Sequence, residues 1–364
     1  MDQNNTTPIR TGNDLRLKNV LIARLSALGD VVMTLPVVYS VCTCYPDVNF
    51  TMLTSEAKAS IFINKPANLK VVGIDLKNDL RGYGRAKSVL SGISADCKFD
   101  ALIDLQNDKS TRWLRMACLL KGIKVIRLNN EQANKRRLTK RTNKVMLPLV
   151  SSRDRYRETF FKARLPMQDK FTGLYGKHGK ADTGEYVSIT SKKKGEADKW
   201  IGIAPFAMYP QKEYPAEKMD EVITMLSRIP NVTIFLLGAD GREKAQAQEW
   251  QDKYTNVISL AGKHYGFPSE LALISNLDVL LTMDSANMHL ASIVRTPTIS
   301  IWGATHHYCG FKGWHQSEDD MVQAPLSCRP CSIIGDKPCY RHDILCLTVI
   351  RPETIYSKVA EKLL

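Results

Sequence analysis

No apolar run in the chain reaches the roughly 20 residues that a membrane-crossing helix requires. Also missing are Gly-x-x-x-x-Gly-Lys-Ser/Thr, Gly-x-Gly-x-x-Gly, His-Glu-x-x-His and Gly-x-Ser-x-Gly. Their absence excludes the common phosphate-loop, dinucleotide, zinc-peptidase and serine-hydrolase patterns. No two aspartates stand two positions apart, which excludes an Asp-x-Asp metal clamp on a nucleotide diphosphate. A diphosphate bound here has to be neutralised by lysine and by helix N-termini. Residues 1–17 are polar, lack the apolar core of a secretory signal, and read as a flexible arm. These features predict a cytoplasmic protein.

What is present is an ordinary globular composition, 44% hydrophobic and 24% charged over 364 residues, long enough for about two domains. The formal charge is +14, and it is unevenly spread. Between Lys121 and Arg164, fourteen Lys or Arg stand against Glu131, Asp154 and Glu158, an excess of +11. Such a segment attracts a polyanion: nucleic acid, anionic lipid or a phosphorylated substrate. A merely solvated basic face is the plainer alternative. Within it, 131–144 has no apolar face and reads as a loop.

The pattern that organises the chain is Val20 to Pro36. An apolar strand-like run breaks at a small-residue turn, and after Gly29-Asp30 the apolar spacing becomes helical. Asp30 stands at the crest, where α/β enzymes meet their ligands and where a helix N-cap would also sit. Further strands are expected at 49–53, 71–74 and 101–105, with helices at 83–92 and 110–120. Residues 176–199, rich in Gly, Ser, Thr and Lys, read as a linker with a short strand at 186–189. The βα alternation then restarts. Strands are expected at 201–205, 233–237, 257–260, 279–283 and 298–301. Helices follow Pro215, Arg242, Pro268 and Asp284. The expectation is α/β: two doubly wound parallel-sheet domains forming a cleft.

Five of the nine cysteines, Cys42, Cys44, Cys97, Cys118 and Cys309, are scattered and read as small apolar residues. Cys328, Cys331, Cys339 and Cys346 are denser. Four thiolates at that spacing form either a structural zinc site or a loop packed by free thiols.

Leu25-Ser26-Ala27-Leu28-Gly29-Asp30-Val31-Val32 resembles the N-terminal motif of the heptosyltransferases, family 9 of the glycosyltransferases. Met283 to Ala291, with Asp284-Ser285-Ala286-Asn287 at its turn, is similar to that family's nucleotide-binding stretch. Thr296-Pro297, Trp302-Gly303-Ala304-Thr305, Lys212-Glu213-Tyr214-Pro215 and the basic Arg137-Leu138-Thr139-Lys140 follow the family's order. The resemblance covers about residues 18–364. It implies a GT-B architecture: an acceptor-binding Rossmann-like domain at 18–175, a linker at 176–199 and a nucleotide-sugar domain at 200–350. The helix at 351–364 would cross back to the N-terminal domain. The implied activity is inverting, metal-independent transfer of heptose from ADP-heptose to the lipopolysaccharide inner core, with no cofactor.

The resemblance also distributes roles. Asp30 matches the proposed base, and Lys212 would stabilise the departing diphosphate. Ser285, Ala286 and Asn287 would offer helix N-terminal N–H groups to phosphate, and Asp284 would contact the donor sugar. His289 is a further donor-side candidate, although a buried structural histidine is the plainer reading, and Glu243 is a candidate for ribose or adenine. Arg136, Arg137, Lys140 and Arg141 would meet a lipid-linked anionic acceptor at the inner-membrane surface. Relatives often have Gly at Ala286 and His at Met33. Two other readings stand beside this one: the same fold with another sugar nucleotide, and a non-enzymatic polyanion binder using 121–164. The basic segment lacks interleaved aromatics, and nucleic acid is therefore not the expected partner.

Overall fold

Parallel strands need crossovers, and the regular βα alternation supplies them. The computed structural model of the chain describes residues 17–95 and 97–364. The arm expected at 1–17 lies outside them except for its last residue. The described chain forms two compact units, residues 17–130 with 152–172, and residues 131–151 with 173–364.

In the first unit the strands are β1 (Asn19–Ala23), β2 (Asn49–Ser55), β3 (Leu69–Ile74), β4 (Ala101–Asp104) and β5 (Lys124–Arg127). They pair in the order β3-β2-β1-β4-β5, all parallel. β1 lies at the centre, and its Val20, Leu21, Ile22 and Ala23 are fully buried, as a sheet covered on both faces demands. One side of it is a core of Leu21, Ala23, Leu53, Leu102 and Leu114 beneath the helices Tyr83–Ile93 and Arg112–Leu120.

The second unit repeats the plan with β6 (Lys199–Ala204), β7 (Val232–Leu236), β8 (Val257–Ser259), β9 (Val279–Met283), β10 (Thr298–Trp302) and β11 (Met321–Gln323). Their order is β11-β10-β9-β6-β7-β8, again parallel. In each sheet the strand order reverses direction beside the first strand, between β1 and β4 and between β6 and β9. At such switch points the loops at the carboxyl ends of the strands diverge and leave room for a ligand. The loops carrying Asp30, Gln106, Lys212 and Asp284 all leave those four strands at that end.

Several expectations need correction. Residues 131–144 contain the helix Gln132–Leu138, anchored by buried Leu138, and the stretch 131–151 belongs to the second unit rather than to an 18–175 domain. Leu149 N donates to Tyr308 O at 2.9 Å, and Lys144 Nζ to Cys328 O and Pro330 O at 2.6 and 2.9 Å. The +11 segment is therefore divided between two units, and contiguity in sequence does not make it one patch. The expected linker at 176–199 is also part of the second unit: Ala181 N donates to Ser275 Oγ, and Lys194 pairs with Asp278 at 2.5 Å. Its expected strand at 186–189 is instead the last residue of a short helix, Thr183–Tyr186, and the turn that follows it; Tyr186 packs edge-on against Trp200. The terminal helix Pro352–Glu361 is built into the second unit. Ile355, Val359 and Leu363 join the core of the second, alongside the helix Ala216–Ser227. Its apolar stripe finds its partner there.

Candidate active site

In the first unit β1 ends at Ala23, and the loop that follows leads into a short helix, Leu28–Val32. Asp30, at its third position, reaches back so that Oδ2 accepts from Ala27 N at 3.3 Å. The cap and the exposed carboxylate are thus the same group. The sequence offered no partner for it, yet Arg24 Nη2 lies 2.6 Å from Asp30 Oδ2. The Arg24 side chain is 10% exposed and that of Asp30 27%. Burial opposes the charge on Arg24, but Tyr156 and Asp30 beside it outweigh that and hold the guanidinium above its usual value. Arg24 Nη1 also donates to Leu105 O at 2.6 Å, and Tyr156 donates to Asp30 O at 3.4 Å. Gln106 completes the cradle: its Oε1 accepts from Leu25 N and Ser26 N, and its Nε2 donates to Ser26 Oγ and Asp108 Oδ2. The whole loop is thus immobilised around one carboxylate, of which Oδ2 takes every bond found and Oδ1 stays open among the described residues.

Asp104, fully buried at the end of β4, ties the following loop to the strand. It accepts from the N–H groups of Gln106 and Asn107, from Thr111 Oγ1 and from Arg115.

The second unit brings Lys212 and Asp284 together. Lys212 Nζ lies 3.0 Å from Asp284 Oδ2, with side chains 14% and 5% exposed. Thr305 Oγ1 donates to the same oxygen at 2.7 Å. Asp284 is the residue after β9, and Ser285 opens the helix Ala286–Ile293, whose first-turn N–H groups have no intrahelical acceptor. Ser285, Ala286 and Asn287 are half-exposed there, beside a lysine, which suits an anion. His289 is 5% exposed within that helix, as its buried reading expects. Glu243 accepts from Ala239 N at 2.7 Å and so closes the Gly238–Gly241 turn. Unannounced by the sequence is Glu213, which accepts from Ala207 N and grips Arg242 at 2.7 and 3.0 Å.

The Cys-rich stretch underlies this half of the site. Arg329, 2% exposed, donates from Nε to Gly303 O, from Nη1 to Ala324 O and from Nη2 to Thr305 O, at 2.6, 2.6 and 2.9 Å. It staples the stretch to the ends of β10 and β11. Gly335 (φ +86°) then passes under Lys212, and a Cβ there would stand 2.5 Å from Lys212 Cδ. Between the Cys pair, Arg329 does most of this anchoring, with Cys331 Sγ donating to Ala304 O at 3.6 Å. All nine cysteines are free, and no cluster of three or more His, Cys, Asp or Glu is arranged to hold a metal among the described residues. The zinc alternative for Cys328, Cys331, Cys339 and Cys346 is not assembled.

Arg136, Arg137, Lys140 and Arg141 are exposed and belong to the second unit, not to the one that carries Asp30. Arg141 stacks on the Tyr340 ring, 4.4 Å from its centroid.

The model of glycosyltransferase family 9 (heptosyltransferase) matches residues 95–337. Lipopolysaccharide heptosyltransferase 3 of Escherichia coli (strain K12) is 25% identical over 299 residues, 81% of this chain and 84% of that protein. Among solved structures, the glycosyl transferase family 9 from Veillonella parvula superposes with a TM-score of 0.73 at 18% identity, over 96% of this chain and 98% of that one. The E. coli heptosyltransferase WaaC with ADP-2-deoxy-2-fluoro heptose does so at 0.62 and 16%, over 94% and 99%. The two parallel-sheet units are those of the GT-B fold. The chain is a glycosyltransferase and belongs to glycosyltransferase family 9, the heptosyltransferase family.

Proposed function

We propose that the protein transfers a heptose from ADP-heptose, with inversion and without a metal, to an acceptor of the lipopolysaccharide inner core. The observation that carries this reading is the state of Asp30: one carboxylate oxygen held by Arg24 and Ala27, the other open. A base must be fixed in position and still have a lone pair to spend. Asp30 Oδ1 takes the proton of the acceptor hydroxyl as that oxygen attacks the anomeric carbon from the face opposite the diphosphate. The C–O bond to ADP breaks as the new glycosidic bond forms.

The leaving diphosphate gathers negative charge, which Lys212 and the N–H groups of Ser285, Ala286 and Asn287 stabilise. A fixed cation and a helix N-terminus do here what Asp-x-Asp with a metal does elsewhere, and the sequence has no such clamp. Asp284 holds Lys212 and faces the sugar portion. Glu243, through its oxygen not engaged with Ala239, serves the ribose. The basic stretch 136–141 meets the lipid-linked anionic acceptor. Met146, Leu147 and Val150 are exposed just beyond it, the mixture of apolar and basic groups that an anionic membrane surface attracts. No described helix is long and apolar enough to cross a membrane. A peripheral location at the inner membrane is therefore part of the proposal.

The test is ADP release with ADP-heptose and truncated lipopolysaccharide for the wild type and Asp30→Asn. Loss of a general base lowers kcat by about 10²–10⁴. No ADP from the wild type refutes the heptose assignment, and an Asp30→Asn variant as fast as wild type refutes the base.

A further inference from the structure

The second unit contains a cavity of about 330 Å³ apart from the Lys212–Asp284 pair. It is lined on one side by Thr139, Lys140 and Arg141 and on the other by Lys337 and Tyr340, with Cys328 and Cys331 among its remaining walls. Three cations line it and no carboxylate does. Neither Lys140 nor Lys337 has an ion-pair partner among the described residues. Arg341, next along the chain, is already neutralised by Asp343 at 2.8 Å, and Lys144 is tied to the carbonyls of Cys328 and Pro330. Arg141 lies over the Tyr340 ring, so its guanidinium plane is held rather than free to swing into water. Burial raises the Cys331 thiol, which keeps that wall neutral.

Three uncompensated cations around one hollow repel each other, and an anion placed among them relieves the repulsion. A planar fork and two compact ammonium groups suit a tetrahedral dianion with several acceptor oxygens. Arg136 and Arg137 are not among the cavity's lining residues.

We infer that this cavity is a phosphoryl-binding subsite, in which Lys140, Arg141 and Lys337 hold a phosphate monoester carried by the acceptor saccharide. The inference rests on the acceptor reading of the basic segment given above and adds to it a specific chemical group and a second wall. It also explains why residues 131–151 pack with the second unit: the two walls come from segments about 200 residues apart and are built only by that packing.

The test uses the full chain, a truncated lipopolysaccharide acceptor, and the same acceptor stripped of its phosphoryl groups with hydrogen fluoride. Binding is measured by calorimetry and transfer by ADP release. Wild type should bind the phosphorylated acceptor about tenfold or more tightly, the worth of one charge-assisted contact. Lys337→Gln should abolish that preference, and Lys337→Arg should keep most of it. Equal binding of both acceptors by the wild type overturns the subsite, as does a preference that survives Lys337→Gln. Transfer without the preference would spare the heptosyltransferase reading while removing the subsite. The preference without transfer would do the reverse. Vesicles of phosphatidylglycerol and of phosphatidylcholine separate the other source of phosphate. If Lys337→Gln weakens vesicle binding at least as much as saccharide binding, a lipid headgroup is the occupant and the acceptor assignment falls.

Discussion

In this structure Lys212 is already neutralised, although its proposed task is to neutralise a diphosphate. Asp284→Asn separates these two states. Asparagine keeps the shape of the side chain and an oxygen for Thr305, but it removes the charge 3.0 Å from Lys212 Nζ. Breaking a fully buried pair costs about 3–5 kcal/mol, and Lys212 retains a little solvent, so a loss of about 2–3 kcal/mol of stability is expected. For a unit of this size that lowers the melting temperature by about 5–10 °C. Affinity for ADP should move the other way. ADP has no heptose, so it reports only the diphosphate side of the site. With the competing carboxylate gone, its phosphates gain an uncompensated ammonium, and Kd should tighten about tenfold. Lys212→Gln should weaken ADP binding by about the same factor or more. Differential scanning fluorimetry and calorimetry with ADP read both quantities. If Asp284→Asn weakens ADP binding as Lys212→Gln does, Asp284 is not the placeholder counterion inferred here.

Three other expectations follow from single contacts. Arg329→Met leaves three buried carbonyls without their donor, at about 1–3 kcal/mol each; urea unfolding should show a loss above about 3 kcal/mol, and a loss below about 1 would contradict the staple. Arg24→Gln removes the cation from Asp30 in the first unit, so kcat should fall about 10²-fold through misplacement of the base while ADP affinity, a property of the second unit, stays as it was; an unchanged kcat would show that Arg24 does not position Asp30. His306 has its pKa lowered from 6.5 to about 4, by burial first and then by His307, Arg329 and Lys144. In that window the unfolded chain binds the proton and the folded one does not, so this contribution is complete above pH 6.5 and is lost as pH falls towards 4. Protonation also costs the bond from Tyr308 N to His306 Nδ1. The melting temperature of His306→Gln should therefore fall less steeply than that of the wild type between pH 6.5 and 4, and parallel curves would refute this.

Much of the site was legible in the sequence because its groups lie in short, local patterns. Asp30, Asp284 and Ser285 stand where a buried apolar run gives way to helical spacing, and that transition is visible without any knowledge of what packs on it. The central strands were legible for the same reason. Less regular pieces were missed: β5, the three-residue β11 and the helix Ser152–Lys162, whose mean composition is polar and whose buried Tyr156 and Phe160 are too few to reveal a stripe. Arg24 carried a signal that could have been used, a charge standing directly after four fully buried strand residues.

By itself the sequence determined the local matters: the alternation of strands and helices, the ligand-facing loops at the ends of particular strands, the absence of an Asp-x-Asp clamp and the family to which those motifs belong. These depend on spacing within about ten residues, which the chain states directly. Only the tertiary structure decided what each charge meets. Arg24 is six residues from Asp30 yet is aimed at it by the Leu105 carbonyl, while Tyr156 holds the Asp30 backbone; Lys212 finds Asp284 72 positions away; and Lys140 and Lys337 share a cavity across nearly 200. The linker and the unity of the basic segment failed as expectations for the same reason. Electrostatics and packing act through space, and no period along the chain records which distant segment will bury a given face.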